Sequence, residues 1–256
     1  MPYADHHGIR IHYEVEGEGP PLVLQHGFTG NLRRWALFGY AETLRHHYRL
    51  ILVDARGHGA SGKPHEPAAY DLPVLAGDIV AVLDALDLDT AHYWGYSMGG
   101  WIGFGMAKHA PQRLRSLIIG GAHPYAERLP DSARLDGSDP EAFLAALLKR
   151  LGMNPATISA ALRVDMLDND FRALAALQRD RPSLEDLLPS IAIPCCLYVG
   201  EADPRFPKVR DCAQRVPGAL FFSLPDLDHG TAFRESSHVL PQVTAFLQSA
   251  VESTAT

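Results

Sequence analysis

Cysteine is scarce in this 256-residue chain: Cys195 and Cys196 are neighbours and Cys212 stands alone. Three thiols cannot build a disulfide framework, and none of their spacings is that of a zinc site. They read as buried thiols of a reducing compartment. Cations are also in the minority, with 23 Lys and Arg against 30 Asp and Glu and a net charge of -7. That balance lacks the basic footprint of a nucleic-acid binder. No apolar run approaches the roughly 20 residues of a membrane span. The opening MPYADHHGIR has neither the basic leader nor the apolar core of a signal peptide. No internal repeat or low-complexity segment is evident. The expectation is a cytoplasmic protein with neither a nucleic-acid nor a membrane partner.

What is present is a chain 46% hydrophobic, punctuated by 22 glycines and 19 prolines. It is too apolar for disorder and too interrupted for a coiled coil. Its length suits one large domain, or one domain carrying an insertion. Short apolar runs alternate with longer helical patterns, the signature of an α/β sheet protein. Ile9–Val15, Leu22–Leu24, Leu50–Val53, Ala91–Gly95 and Leu117–Ile119 read as strands. Leu72–Leu86 carries leucines and isoleucine at helical spacing. From His123 to about Ser190 the rhythm changes to helical stretches such as Glu141–Leu151 and Phe171–Gln178. Strand-like sequence returns at Cys195–Val199 and Ala219–Ser223, and a last helix runs from about His238 to Ala250. The insertion reads as a cap over one end of the sheet.

Chemistry concentrates at Gly95-Tyr96-Ser97-Met98-Gly99, a G-x-S-x-G between an apolar run and a helical stretch. Glycines are needed where a turn is too tight for side chains, and the turn lifts the serine hydroxyl to a helix N-terminus that favours developing negative charge. Gly99, Gly100, Gly103 and Gly105 follow within the helix. Each costs about 1 kcal/mol relative to alanine, so their retention points to backbone approaching backbone. A serine needs a base, and the base needs an orienting acid. Asp203 lies just past the strand Cys195–Val199, with Glu201 as rival in the same loop. His229 follows the strand Ala219–Ser223, with His238 as rival. Gln25-His26-Gly27-Phe28-Thr29-Gly30 follows Leu22–Leu24 and supplies one oxyanion donor, the Phe28 amide; the second is the Met98 amide after the serine.

HGFTG at 26–30, DARGHGASG at 54–62, GYSMGG at 95–100, GEAD at 200–203 and DHG at 228–230 together resemble the α/β-hydrolase family. The resemblance spans essentially the whole chain outside the cap. It implies a mostly parallel eight-stranded α/β sheet with an inserted helical cap, the core formed by residues 1–122 and 191–256 and the cap by 123–190. It implies the triad Ser97, Asp203 and His229, and it makes Arg56 and His58 parts of a structural turn. A serine at the elbow argues against haloalkane dehalogenases and most epoxide hydrolases, which put aspartate there. The single glycine of HGF resembles the group acting on small to medium acyl substrates. HGFTG, GYSMGG and GEADPRF are also similar to the menaquinone-pathway synthase that expels pyruvate, but Trp101 stands where that enzyme has arginine.

The expected function is a serine hydrolase cleaving a small to medium carboxylic ester or lactone through a Ser97 acyl-enzyme, without metal or organic cofactor. The alternatives are the pyruvate-eliminating lyase, a carbon–carbon bond hydrolase and a small-molecule receptor. Phe28, Tyr96, Trp101 and Phe206 lie beside catalytic positions and are candidate substrate contacts, as are His123 and Tyr125 at the cap entrance. No cation flanks the elbow, so an uncharged substrate is expected, with Arg163, Arg172, Arg179 and Arg181 on a solvated face. Apolar faces of the cap helices fit a homodimer contact as well as an active-site roof.

Overall fold

The computed structural model describes residues 2–129 and 134–254. Its strands are β1 (Tyr3–His6), β2 (Ile9–Glu16), β3 (Pro21–Gln25), β4 (Arg49–Val53), β5 (Ala91–Tyr96), β6 (Leu114–Gly120), β7 (Cys195–Gly200) and β8 (Leu220–Leu224). They form one sheet in the order β1-β2-β4-β3-β5-β6-β7-β8. β2 pairs antiparallel with both β1 and β4, and every other pair is parallel. The helices are α1 (Arg33–Leu37), α2 (Tyr40–Leu44), α3 (Leu72–Ala85), α4 (Met98–His109), α5 (Pro140–Arg150), α6 (Ala160–Leu167), α7 (Phe171–Leu177), α8 (Phe206–Arg215), α9 (Thr231–Arg234) and α10 (Ser236–Thr254).

Strands β3, β5 and β7 are buried along their whole length, because helices cover both faces of a parallel sheet. Successive side chains point to opposite faces, and the two cores show it. Tyr93, Leu117, Ile119 and Leu197 pack with α3, α4 and α8, whereas Trp94, Ile118 and Cys196 pack with α1, α2 and α10. Cys195 and Cys196 therefore enter opposite cores. Burial pushes both thiols up to about 12. The edge strand β8 is more exposed.

Between β6 and β7 the chain runs through α5, α6 and α7. Each begins with a side chain that satisfies a free backbone amide: Asp139 accepts from Ala142 N, Ser159 from Leu162 N, and Asp170 from Ala173 N. The apolar face of α5 packs Leu144, Leu147, Leu148 and Leu151 against Leu162 and Met166 of α6, with Phe28 alongside. Phe143 turns to Phe171 and Leu174 of α7. This inserted segment thus lies against the loop that follows β3. Among the described residues no helix is long and apolar enough to cross a membrane.

Some elements differ from the sequence reading. β6 begins three residues before Leu117, because the polar Arg115 and Ser116 interrupt its apolar run; Ser116 is nonetheless buried and bonded to His92 Nδ1 at 2.8 Å. β1 carries YADH, which has no alternation; it is made a strand by its pairing with β2 and anchored by His6 to Asp78 of α3 at 2.6 Å. The five-residue helices α1 and α2 are too short to show a period.

Adjacent parallel strands set up the site. Gln25 pairs in register with Gly95, so the loops leaving β3 and β5 start side by side. A Cβ at position 95 would lie 2.2 Å from Gly99 O, and one at position 99 would lie 2.2 Å from Gln25 O. Both obstacles are backbone, which cannot swing aside. Gly99→Ala should therefore destabilise the fold by about 2–3 kcal/mol, at the upper end of ordinary overpacking. Urea denaturation checks this, and a stability equal to wild type would show that α4 approaches β3 less closely than described.

Candidate active site

Ser97 stands on the turn between β5 and α4 with φ 55° and ψ -110°. A positive φ at a non-glycine residue costs on the order of 1–3 kcal/mol and persists only where the surroundings over-determine it. Here Ser97 N donates to Gly120 O at 2.7 Å, and Ser97 O accepts from Trp101 N at 3.0 Å. The half-buried serine is thereby held at the sheet edge.

His229 lies between β8 and α9, and its Nε2 is 2.8 Å from Ser97 Oγ. Its Nδ1 is 2.5 Å from Oδ2 of Asp203, which leaves the end of β7. Both are buried. Burial of Asp203 would raise its pKa, but the neighbouring His229 and its hydrogen bond, with Arg205, outweigh this and lower it. The other Asp203 oxygen accepts from Arg205 N at 2.9 Å. The rivals fall elsewhere: Glu201 is exposed and accepts from Ser223 Oγ at 2.7 Å, and His238 is exposed beside Glu235. Asp228 was not singled out by its sequence position. Its Oδ1 accepts from Gly230 N at 2.9 Å and Thr231 N at 2.7 Å, shaping the turn that carries His229.

Phe28 and Met98 both border the cavity with Ser97, and the backbone amide of neither donates to an acceptor among the described residues. Position 27 is close enough that a Cβ there would lie 3.3 Å from Ser97 Cβ. Two buried histidines fasten this loop. His26 Nδ1–H donates to Gly27 O at 2.8 Å while Nε2 accepts from Ala55 N at 3.0 Å. His58 Nε2 accepts from Thr29 N at 3.3 Å, and its Nδ1–H donates to Arg56 O at 3.2 Å. Each ring accepts at one nitrogen, so each must be neutral. Arg56 is occupied in a buried pair with Asp78 at 2.6 Å. Both DARGHG side chains are scaffold.

The cavity measures about 870 Å³. Of the candidate contacts, Phe28, Tyr96 and His123 border it together with Ser97, Met98 and His229. The Tyr96 hydroxyl donates to His229 O at 2.5 Å, and its ring stacks on Phe233 at 4.5 Å. It holds the histidine's backbone as much as it shapes the cavity. Three candidates lie elsewhere. Trp101 lies one turn into α4, buried beneath the Arg181 guanidinium at 5.2 Å. The Tyr125 hydroxyl is engaged by Asp211, and its ring lies near Arg215. Phe206 packs on the core at the start of α8, under Arg210. None of the three borders the cavity. For Trp101 and Phe206, proximity in sequence to Ser97 or Asp203 does not carry direction: a helix turns a side chain away within a residue or two.

The expected placement of cations is corrected as well. Arg179 and Arg181 border the cavity rather than a wholly solvated face, joined by Arg150 and Arg205. An elbow without a neighbouring cation in sequence thus sits in a cavity bordered by several. Among the described residues no three His, Cys, Asp or Glu gather as metal ligands would.

A model of the alpha/beta hydrolase fold matches residues 20–231. The dihydrolipoyllysine-residue acetyltransferase component of an acetoin cleaving system from Pseudomonas putida is 32% identical over 257 aligned positions, covering 92% of this chain and 66% of that protein. The chain thus spans slightly less than two thirds of that relative's length. An enol-lactonase from Burkholderia xenovorans LB400 superposes with a TM-score of 0.85 at 25% identity, covering 96% of this chain and 100% of the other. An esterase from Rhodococcus sp. ECU1013 superposes with a TM-score of 0.81 at 26% identity, covering 97% and 98%.

The neutral histidines carry a pH signature. Burial lowers the pKa of His26, and burial together with His26 lowers that of His58 well below the ordinary 6.5. The unfolded chain then binds protons that the folded chain refuses. Their contribution to stability is whole above the unfolded value of about 6.5 and is lost as pH falls below it. Urea midpoints should fall from pH ~7.5 to pH ~5, and His58→Asn should flatten that slope by up to about 1.4 kcal/mol per pH unit. A variant with the wild-type slope would contradict this assignment.

Proposed function

The chain belongs to the alpha/beta hydrolase family, and from that premise we propose that it hydrolyses a small to medium carboxylic ester or lactone through a Ser97 acyl-enzyme. One observation carries the reading: a single imidazole spans Asp203 and Ser97 at 2.5 and 2.8 Å, beside two backbone amides without acceptors. Ser97 Oγ attacks the acyl carbon while His229 Nε2 takes its proton. The oxyanion receives hydrogen bonds from the Phe28 and Met98 amides, donors oriented before the reaction and worth about 3 kcal/mol each. His229 returns the proton to the leaving alcohol, and the tetrahedral intermediate collapses to the acyl-enzyme. Water, deprotonated by the same nitrogen, then releases the acid and restores Ser97. Throughout, Asp203 fixes the tautomer with hydrogen on Nδ1 and stabilises the imidazolium.

The apolar side of the cavity supports an acyl group of limited length. Leu147, Leu151, Leu162 and Met166 border it from the inserted helices. Hydrolysis of p-nitrophenyl esters from acetate to decanoate should peak at short or medium chains. Ser97→Ala should lower kcat by about 10⁴-fold or more. Full turnover in that variant, or none from folded wild-type protein, would overturn the reading. Tyr96→Phe removes the bond to His229 O and should lower kcat by about tenfold, the worth of one buried hydrogen bond, with KM nearly unchanged. An unaltered kcat would show that Phe233 stacking alone holds the histidine loop.

A further inference from the structure

The chain carries more acids than bases, yet its cavity is bordered by cations. Glu127 is the one carboxylate among the described residues that border it. Three guanidinium groups converge on Glu127 from separate segments: Arg150 ends α5, Arg181 follows α7, and Arg205 follows Asp203. Arg181 Nη1 lies 3.5 Å from Glu127 Oε2, and Arg205 Nε lies 3.9 Å from Oε1. Arg150 closes no ion pair among the described residues and still feels both Arg205 and Glu127. Asp203 Oδ1 also lies 3.9 Å from Arg205 Nη1, but that carboxylate is already committed to His229, which leaves Glu127 facing an excess of guanidinium charge.

The distances separate these arginines from the structural ones. Arg34–Asp165, Arg56–Asp78, Arg113–Asp84 and Arg215–Glu185 close at 2.6–2.9 Å, the range of charge-assisted hydrogen bonds. The groups around Glu127 are held open by comparison, so their N–H donors are not consumed. Nor are they loosely attached. The backbones of Glu127 and Arg181 bond reciprocally at 3.0 and 2.8 Å, and Arg205 N is tied to Asp203. His123 Nε2, buried 3.3 Å from Glu127 Oε1, faces the same oxygen as Arg205. Burial works against ionisation of Glu127, but His123, Arg181 and Arg205 outweigh it and hold its pKa at about 2. Arg181 is itself lowered to about 10, by burial first and by Arg205 and Arg150 next, with Glu127 opposing. Like charges gathered in a partly dehydrated wall repel, and an added anion relieves that repulsion.

Resting on the acyl-transfer reading of Ser97, we infer that Arg150, Arg181 and Arg205 form an anion subsite, and that the substrate is an ester or lactone bearing a carboxylate apart from its scissile carbonyl. The subsite selects the acid by hydrogen-bonding forks and charge, while the apolar wall takes the carbon chain between. No bond changes at the arginines. They position the substrate.

The test compares mono-p-nitrophenyl glutarate with p-nitrophenyl valerate, acyl chains of matched length that differ in the terminal carboxylate. Wild-type kcat/KM should favour the charged ester by about tenfold or more, and rising KCl should shrink the preference. Arg181→Gln should lower the ratio about tenfold, chiefly through KM, and Arg181→Lys should keep part of it. Arg150→Gln, at an exposed helix end, should lower the ratio in the same direction without threatening the fold. Ser97-dependent turnover with a wild-type ratio of one or less, or a ratio unmoved in both glutamine variants, overturns the subsite and leaves the hydrolase reading standing. Calorimetric titration of glutarate into Ser97→Ala protein reads the subsite without catalysis. Binding that Arg181→Gln abolishes supports it even if no ester is turned over, and no binding overturns it.

Discussion

Backbone meets backbone where β5 turns into α4, and the rest of the site is arranged around that contact. Gly95 and Gly99 let the first turn of α4 come down against the Gln25 carbonyl, which brings the serine turn and the loop after β3 within reach of each other. Ser97 is left at φ 55°, a conformation on the order of 1–3 kcal/mol above a relaxed one. Its amide bond to Gly120 and the burial of α4 between β5 and β6 offset that cost. The same strain lifts the hydroxyl toward His229. Geometry and reactivity are therefore consequences of one close approach.

A second layer is polar and buried. Asp54 receives the Leu32 and Ala60 amides at 2.8 and 2.9 Å and lies 2.8 Å from His12 Nδ1, while His26 and His58 bind the loop after β3 to the turn after β4. Asp54, His26 and His58 are bonded to backbone or to another member, the condition under which buried polar networks rigidify a structure; only the His12 Nε2 of this group is left without a hydrogen-bond partner among the described residues. The consequence for chemistry is that the Phe28 amide is held in place by side chains that take no part in a reaction. Water would compete with these bonds if the turn were exposed; its burial is what makes neutral histidine the fitting residue.

Charge is distributed against composition. Several arginines are held in close pairs on the surface or, for Arg56, inside the sheet layer, whereas Arg150, Arg181 and Arg205 gather around Glu127 at longer range. A low-dielectric wall with an excess of one sign focuses its field into the opening. The apolar side formed by α5 and α6 and the cationic side around Glu127 divide the cavity into two chemistries, with Ser97 bordering both.

Much of this was legible in the chain. Central strands buried on both faces appear as unbroken apolar runs, and the glycine and nucleophile signals at 95–99 follow from local sterics, so they need no tertiary information. Asp203 and His229 were readable because a parallel sheet puts the loops after successive strands at one edge. Strand β1 and the onset of β6 were not, since pairing rather than side-chain pattern makes them strands. Direction was also out of reach. Trp101 and Phe206 sit near active positions along the chain and Tyr125 at the cap entrance, yet none borders the cavity, whereas Arg150, Arg181 and Arg205 are far from the elbow in sequence yet border it. Sequence determines what each segment can become, because propensity, turn chemistry and periodicity act over a few residues. Only the tertiary structure decides which side chains share a space and a field, because those are set by how distant segments pack.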